Sequence, residues 1–408
     1  MEVSPTADTC AKFYAVCLMK EPAREASMSE RRRVRQREKN ERCKRLSLTA
    51  YAVAMTTGTT RFIHRLRLLA LSPLLLLCFA ADAPNDRVQI LLNPSEAERV
   101  LDILAKRKAG KPVTEDDWQA LFATEPYQRL KKREASMHRQ FTEDDFKKFV
   151  LSDDLAKEYD VLTRTLAEWK KVGLHASGAR VLQYLPAKAV IHAKVFPEIK
   201  PLHNSFVFDV GTDPAIFLYL DPGVSRQYFE QTVAHEMHHI GLASTDKEYE
   251  KKISSLPDPA RKVAQWMGAF GEGEAMLAAA GGPDVPINEY ATEDLRTNWQ
   301  AGMRDFNENL ATVNDFFVQV LDGRIAGDEI NKKAFSFFGL QGPWYTVGYK
   351  MAVMVEKRYG RPALIECMLD RRLLLSRYNS AADETNRGGK EHLGLWSPEV
   401  LKAVGTAP

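Results

Sequence analysis

Residues Ser225–Ala243 read SRQYFEQTVAHEMHHIGLA, and this stretch decides the fold of the region around it. At about 100° per residue, four apolar side chains share one face of a helix and predict packing on a core: Phe229, Val233, Met237 and Ile240. His235 and His239 are four residues apart and project together from a face roughly opposite. The stretch therefore predicts a helix with a core on one side and two histidines facing a cleft.

The same residues form the pattern His-Glu-x-x-His, in which the histidines bind zinc and the glutamate acts as general base. Glu236 lies off the ligand direction, so it can reach a water beside the ion without reaching the ion itself. His238 is an alternative ligand, because its three-residue spacing from His235 also occurs in metal sites. Using His238 would weaken the placement of Glu236, so we assign His235 and His239 as ligands. His238 then lies in the surroundings or faces solvent, and a merely solvated histidine pair is the simplest alternative.

A catalytic zinc site needs a third protein ligand, and residues 268–283, GAFGEGEAMLAAAGGP, offer carboxylates. Glu274 would be turned about 160° away from Glu272 on a helix, so only one of them can point at the metal. Three glycines weaken this helix but permit close approach of another backbone, which we expect to be the metal helix. Glu272 is the predicted third ligand. An Ala/Gly-rich helix that only packs tightly is the alternative.

The first 82 residues differ in character from the rest. Three arginines precede the apolar run 68–79, and small residues follow at 80–83, an arrangement typical of a secretory signal peptide over residues 55–82. An uncleaved membrane anchor is the alternative. Residues 1–54 are then an upstream extension without a fold of their own. Their basic run could instead be a nucleic-acid or nuclear-targeting patch.

Charge and cysteine usage support this division. Residues 1–82 hold 15 of the 57 basic and 8 of the 54 acidic residues, so the remainder carries a net charge of −4. That balance gives no polyanion-binding signature, and we expect no nucleic-acid partner. Only Cys367 follows the leader, which excludes an internal disulfide or a cysteine metal cluster in the mature chain. Leu77 beside Cys78 disfavours lipid anchoring. We expect a secreted or periplasmic protein without a stable membrane span.

The remaining pattern predicts an α+β fold. Residues 88–175 show helical spacing and form a helical N-terminal subdomain, whereas residues 176–408 form the catalytic domain. From Arg180 to Asp221 three segments rich in β-branched and aromatic residues predict a small sheet. Helical spacing then continues almost to the C-terminus. The segment AIFLYLD, residues 215–221, is predicted to form the upper edge of the cleft and to bind substrate as an added strand.

The chain also resembles a bacterial family of zinc-dependent peptidases of unknown function, and more broadly the thermolysin-like gluzincins, in which HExxH is followed by a glutamate on a second helix. The resemblance covers nearly all of residues 90–380 and rests on four stretches: HEMHH at 235–239, EGEA at 272–275, YTVGYKMA at 345–352 and the helical residues 114–137. It implies a mainly helical zincin-like metallopeptidase fold. It also implies that Tyr345, with Tyr349 as second choice, donates to the oxyanion. A structural tyrosine on a packed helix is the alternative.

These observations together predict an exported zinc metallopeptidase whose partners are peptides or proteins. Zn²⁺ would be held by His235, His239 and Glu272, Glu236 would act as general base, and Tyr345 would stabilise the oxyanion. A zinc hydrolase of a non-protein amide and a non-catalytic metal-binding envelope protein are the alternatives. The presence of Glu236 argues against the second, because a binding module has no need of it. Oligomeric state is not encoded in any motif that we identify.

Overall fold

The computed structural model describes residues 87–389 and 391–406 of the chain. The upstream extension 1–54, the signal peptide 55–82 and Cys78 lie outside these residues, so the interpretations placed on them stay predictions. Across the described part, no helix is both long and apolar enough to cross a membrane. The described chain is mostly helical with one small sheet, so the α+β class is confirmed.

The described chain begins with one strand and continues with six helices. Strand β1 spans Val88–Leu92. Two helices begin at capping threonines: the Asp117 carboxylate accepts from the backbone N–H of Thr114 at 2.9 Å, and Thr142 Oγ1 accepts from the N–H of Asp145 at 3.1 Å. The six helices are α1 (Ser95–Lys108), α2 (Glu115–Phe122), α3 (Glu125–Ser136), α4 (Glu143–Val150), α5 (Asp153–Trp169) and α6 (Leu174–Leu182).

Three further strands complete a mixed sheet. They are β2 (Ile191–Glu198), β3 (Phe206–Phe208) and β4 (Ala215–Tyr219), and the order across the sheet is β1-β2-β4-β3. Strand β2 runs parallel to β1 and to β4, whereas β3 is antiparallel to β4. Parallel neighbours require a long crossover, and the six helices supply it between β1 and β2.

The rest of the chain is helical. A short 3₁₀ turn, Met267–Phe270, leads directly into the helix that carries Glu272. The helices are α7 (Arg226–Ala243), α8 (Asp246–Ile253), α9 (Asp258–Trp266), α10 (Gly271–Ala280), α11 (Glu293–Arg304), α12 (Phe306–Leu321), α13 (Asp328–Ser336), α14 (Pro343–Tyr359), α15 (Arg361–Leu369), α16 (Arg372–Arg387) and α17 (Pro398–Ala403).

The two faces of the sheet pack against different helices. Gly241 of α7 lies so close to β2 that a Cβ atom on it would stand 3.3 Å from Cγ1 of Ile191. Side chains alternate along a strand, so Phe196 points to the opposite face, where it packs in one cluster with Leu130 of α3. Helix α7, with the HExxH pattern, therefore covers one face, and α3 covers the other.

Helix α7 is enclosed on almost every side. The predicted core stripe is buried, and so is every residue from Val233 to Leu242, including both histidines of the motif. Helices α6, α10 and β2 all contact it. The helix therefore runs through the interior, and the prediction of one apolar and one open face was too simple.

The sheet differs from the sequence prediction at both of its ends. Strand β1 was not predicted, and the first predicted strand segment begins as helix, because α6 continues to Leu182 and β2 starts only at Ile191. The segment 215–221 was predicted to bind substrate as an added strand, which requires an edge strand of the sheet, but β4 lies between β2 and β3. Edge and interior strands both read as apolar runs when a sheet is covered on two faces, so spacing alone did not separate them.

The predicted division of the chain near residue 175 falls within helix α6. The described residues cluster in a single compact unit, and the core is continuous between the N-terminal helices and α7. One contact shows this directly: the Trp169 ring of α5 stacks on Phe229 of α7 with centroids 4.2 Å apart. The N-terminal helices thus help to build the environment of the metal helix.

Candidate metal centre

Three side chains from two helices meet at one point. His235 and His239 project from α7, and Glu272 projects from the first turn of α10. Nε2 of His235 lies 3.1 Å from Oε2 of Glu272 and 3.0 Å from Nε2 of His239. Nε2 of His239 lies 3.4 Å from the same carboxylate oxygen. The structure thus brings together the three residues that were predicted as ligands.

These donor atoms suit a zinc ion. Zinc binds imidazole nitrogen and carboxylate oxygen at about 2.0–2.2 Å in tetrahedral geometry, which separates neighbouring donors by roughly 3.4 Å. The three observed separations are close to that value. Within the described residues, this is the group of three histidine, cysteine or acidic side chains that could hold a metal ion. Two nitrogens and one oxygen leave a fourth position open, as catalytic sites require.

The electrostatics of Glu272 fit a ligand that stays charged. Burial alone would raise the pKa of this carboxyl, but the charges of His239 and His235 and their hydrogen bonds outweigh burial and hold the pKa well below its usual range. A carboxylate that remains ionised while almost fully buried can ligate a cation without first losing a proton.

Glu236 has the opposite electrostatic environment. Burial raises its pKa to about 7, His235 opposes the rise, and the negative charge of Glu272 adds to it. The side chain is 3% exposed and follows His235 directly in the helix. Glu236 therefore lies beside the three donors without being one of them, and its pKa is near the value at which a carboxylate both accepts and returns a proton near neutral pH.

His238 is fully buried, so the alternative that it faces solvent was wrong. Its ring centroid lies 6.1 Å from that of His239, and within the described residues neither ring nitrogen has a hydrogen-bond partner. Burial, followed by the positive charges of His239 and His235, holds its pKa well below the usual range. A neutral imidazole in this position fills space beside the site, and it is not one of the three converging side chains.

Glu274 lies outside the group of three donors. Burial raises its pKa to about 7, and the positive charge of Arg371 opposes the rise. Arg371 pairs with Asp246 at 2.5 Å and packs over the ring of Tyr249. A Cβ atom on Gly268 would stand 2.9 Å from Nη1 of Arg371, so this glycine makes room for the guanidinium. Arg371 was not identified from the sequence. The glycine at position 268 indicated a close neighbour but not which residue it was.

The two candidate tyrosines take different positions. The Tyr345 ring lies nearly parallel to the His235 ring, with centroids 6.1 Å apart and planes 13° apart. The Tyr349 ring instead meets Trp299 edge to face at 5.1 Å, and burial, together with the charge of Asp284, raises its pKa to about 12. Tyr345 is therefore the tyrosine that borders the three donors.

A close contact between two helices fixes Glu272 and Tyr345 relative to each other. A Cβ atom on Gly273 of α10 would collide with the backbone nitrogen of Tyr349, and one on Gly348 of α14 would stand 2.5 Å from the carbonyl oxygen of Phe270. The prediction that Gly273 permits close approach of the metal helix was wrong, because Gly273 faces α14 instead, although α10 itself contacts α7. Only glycine permits such backbone proximity.

Comparison with known proteins identifies a family. No curated protein and no solved structure matches the chain. A family model described as "Putative zinc dependent peptidase (DUF5700)" matches residues 118–387, about two thirds of the chain, and includes α7, α10 and α14. The description names zinc, in agreement with the predicted cofactor and with a donor group that suits this ion. The chain therefore belongs to this family of zinc-dependent peptidases.

Proposed function

We propose that the protein is an exported metallopeptidase of the gluzincin type that hydrolyses peptide bonds at the site formed by α7 and α10. The observation that carries this proposal is the meeting of His235, His239 and Glu272 within about 3.4 Å of one another, with Glu236 beside them. Family membership supports zinc and peptide chemistry. Mechanism, export and substrate are our inference.

Each side chain has a distinct task in this proposal. His235, His239 and Glu272 hold zinc, which when bound supplies Lewis acidity toward a water and a carbonyl group. Glu236 accepts the proton of the attacking water and passes it to the leaving amine, a role that its pKa of about 7 suits. The Tyr345 hydroxyl donates to the oxygen that becomes negative as the carbonyl is attacked.

The sheet suggests how an extended substrate is held. Strand β3 is the free edge beside β4, and β4 leads directly into α7. An unpaired edge can receive an extended peptide through main-chain hydrogen bonds. We infer that a substrate adds to β3, and not to β4 as the place of that segment just before the metal helix had suggested.

Export follows from the leader and not from the described residues. Residues 55–82 have the three parts of a secretory signal peptide, and the remaining chain carries one cysteine and a mildly acidic charge. We propose a secreted or periplasmic location. N-terminal sequencing of secreted protein should find a start between Ala81 and Pro84, and recovery of exported protein that retains residues 1–54 would contradict this.

The decisive experiment compares wild type with Glu236→Gln. Purified wild type should contain about one zinc per chain, cleave members of a peptide library, lose activity with a chelator and regain it with zinc. Glu236→Gln should retain the zinc and lose at least about a hundredfold in turnover, because the amide cannot accept a proton. Full activity in this variant would remove the proposed mechanism. Cleavage of small amides but of no peptide would favour the alternative hydrolase.

A further inference from the structure

The segment His392–Ser397, here named the C-terminal strap, lies extended against two helices and is held through its backbone. Asn379 of α16 donates to the carbonyl oxygen of Trp396 and accepts from its N–H, both at 2.9 Å. Asn386, two turns later, makes the same pair of bonds with Leu393, at 2.9 and 2.7 Å. Each amide thus pairs with both polar backbone groups of one strap residue.

Helix α12 holds the strap from its other side. Asn307 donates to the carbonyl oxygen of His392 and accepts from the N–H of Gly394, both at 2.7 Å. Asn314 accepts from the N–H of Ser397 at 2.9 Å. On each helix the two asparagines are seven residues apart, about 10.5 Å along the axis. Three residues of extended chain span about 10 Å, so the asparagine spacing fits residues three apart in the strap.

The asparagines fix which side chains enter the core. Trp396 is 1% exposed, whereas its neighbour Leu395 is 43% exposed. The Trp396 ring lies 5.7 Å from the Phe317 ring and 5.6 Å from the Phe270 ring, and its Nε1 donates to Sδ of Met351 at 3.1 Å. The strap therefore buries two side chains, Leu393 at 3% exposed and the larger Trp396, and the bonds from Asn379 set the backbone position of Trp396, which we name the anchor.

Trp396 touches the 3₁₀ turn that leads into α10 and also touches α14. Phe270 comes two residues before Glu272, and its carbonyl oxygen is the atom against which Gly348 packs. Met351 lies on α14, the helix that carries Tyr345. The ring of Trp396 therefore packs where the 3₁₀ turn that leads into α10 meets α14.

We propose that Trp396, seated by Asn379, is a positioning residue that holds Glu272 and Tyr345 in the geometry needed for zinc binding and turnover. This inference rests on the proposed zinc site. It goes beyond it by assigning a role to Trp396, which lies outside the family match that ends at residue 387. The strap acts on the site through the packing of Trp396 against Phe270 and Met351.

The test uses a matched pair of variants of the full chain. Asn379→Ala and Asn386→Ala each remove two hydrogen bonds between one helix and the strap, so they should lower stability equally. Asn379→Ala frees the backbone of Trp396 and should weaken zinc binding about tenfold, at the lower end of the effects seen when groups that orient metal ligands are lost. Asn386→Ala should change zinc affinity less than twofold. Zinc affinity is measured by competition with a chromophoric chelator.

Substitutions at the anchor give a second readout. Trp396→Ala should weaken zinc binding at least as much as Asn379→Ala and lower kcat with little change in KM, because ligand geometry matters most in the transition state. Trp396→Phe keeps a ring against Phe270 and should restore most of the zinc affinity and most of kcat. Leu395→Ala on the exposed side of the strap, and Trp118→Ala in the distant α2, should alter neither zinc affinity nor kcat.

Two results would overturn the proposal. One is equal zinc affinity in Asn379→Ala and Asn386→Ala, and the other is wild-type zinc affinity in folded Trp396→Ala. If Trp396→Ala does not fold, the asparagine pair decides. Failure of the zinc site itself would look different, because His235→Ala would then leave zinc binding unchanged in an otherwise wild-type chain.

Discussion

The two faces of the sheet each bury a group of charged side chains, and the groups differ in what their carboxylates touch. On the α7 face lie the donors His235, His239 and Glu272 with Glu236 beside them. On the α3 face lies a set that we name the carboxyl cluster: Glu96, Arg133, Glu134, Glu198 and Lys200, none of them more than 3% exposed. The carboxyl groups on both faces are therefore buried, but their hydrogen-bond and ion-pair partners differ.

The carboxyl cluster has no cation directed at its central acids. Oε2 of Glu96 accepts from the N–H of Ile199 at 3.0 Å, but within the described residues Oε1 of Glu96 and both oxygens of Glu198 have no hydrogen-bond partner. Lys200 instead donates to backbone oxygens of residues 202 and 204, and Arg133 pairs with Glu134. Burial raises the pKa of Glu96 to about 8, and burial together with the charge of Glu96 raises that of Glu198 well above its usual range.

Burial does not by itself decide the charge of a carboxyl group. Glu272 keeps its negative charge because two imidazoles lie within 3.4 Å. Burial raises the pKa of Glu198 well above its usual range, and within the described residues no hydrogen-bond donor to its carboxyl group offsets that rise. The α7 face thus offers an ionised carboxylate to a cation, whereas burial favours the protonated form of the central acids in the carboxyl cluster. Variants that exchange these properties test the comparison.

The largest expected effect is loss of zinc. His235→Ala and His239→Ala each remove one of three protein ligands and should reduce zinc from about one per chain to nearly none. His238→Ala, which removes an equally buried imidazole from the same helix, should leave the zinc content unchanged. Elemental analysis of the purified variants measures this. An empty His238→Ala protein beside a loaded His239→Ala protein would reverse the ligand assignment.

A second pair compares one carboxylate from each face. Glu272→Gln replaces a charged ligand by a neutral amide and should weaken zinc binding by about a hundredfold, since even groups that only orient ligands contribute 10–100-fold. Glu198→Gln makes the same change on the α3 face and should leave zinc affinity untouched. Chelator competition gives both constants. Wild-type affinity in Glu272→Gln would move the third ligand to Glu274 or another carboxylate.

A third pair concerns the packing that supports the α7 face. Gly273→Ala places a methyl group against the backbone of α14 and should cost about 1–3 kcal/mol in the free energy of unfolding. Gly271→Ala changes the same helix where a Cβ atom has nothing within 4 Å, and should gain about 0.5–1 kcal/mol. Urea denaturation measures both. A stable Gly273→Ala protein would show that the two helices can separate without loss.

The smallest expected effect is a change in pH dependence from the carboxyl cluster. The pKa of Glu96 is about 8 in the folded protein, and we take 4.5 for the unfolded chain, so the folded state binds more protons between these two pH values. Its contribution to stability is therefore complete below pH 4.5 and falls as the pH rises towards 8. Glu96→Gln cannot ionise, so its melting temperature should decline less over this window, by a few degrees. Melting curves of wild type and Glu96→Gln at pH 5 and pH 8 measure this.

The metal helix and its acids could be read from the sequence because their spacing is local. His235 and His239 are four residues apart on α7, and Glu236 directly follows His235. These spacings fix the directions of the three side chains relative to one another, independently of the rest of the chain. The meeting with Glu272 followed from the resemblance and from face analysis of one short helix. Strand β1, the carboxyl cluster and the strap depend on contacts between distant residues, which periodicity does not encode. Arg371 is a further case, because Gly268 indicated a close neighbour without identifying that neighbour as Arg371.

Gly273 shows both the reach and the limit of sequence reasoning. Its unfavourable position within a helix indicated a close backbone neighbour, and the structure contains one. Composition could not say which helix that neighbour is, and α14 rather than α7 lies there. Likewise the apolar character of β4 predicted a strand, but its place in the sheet depends on β3 pairing beside it.

The crossover between β1 and β2 also bears on the order in which the protein folds. Val88 pairs with Ile191, so the sheet joins chain segments about 100 residues apart, and closing so long a loop slows folding. Helix α7 packs on β2, and we expect it to be seated only after the six intervening helices have formed. Under the proposed function, a newly made chain acquires its zinc site late, after most of its exposed backbone is protected from cleavage by other copies of the protein.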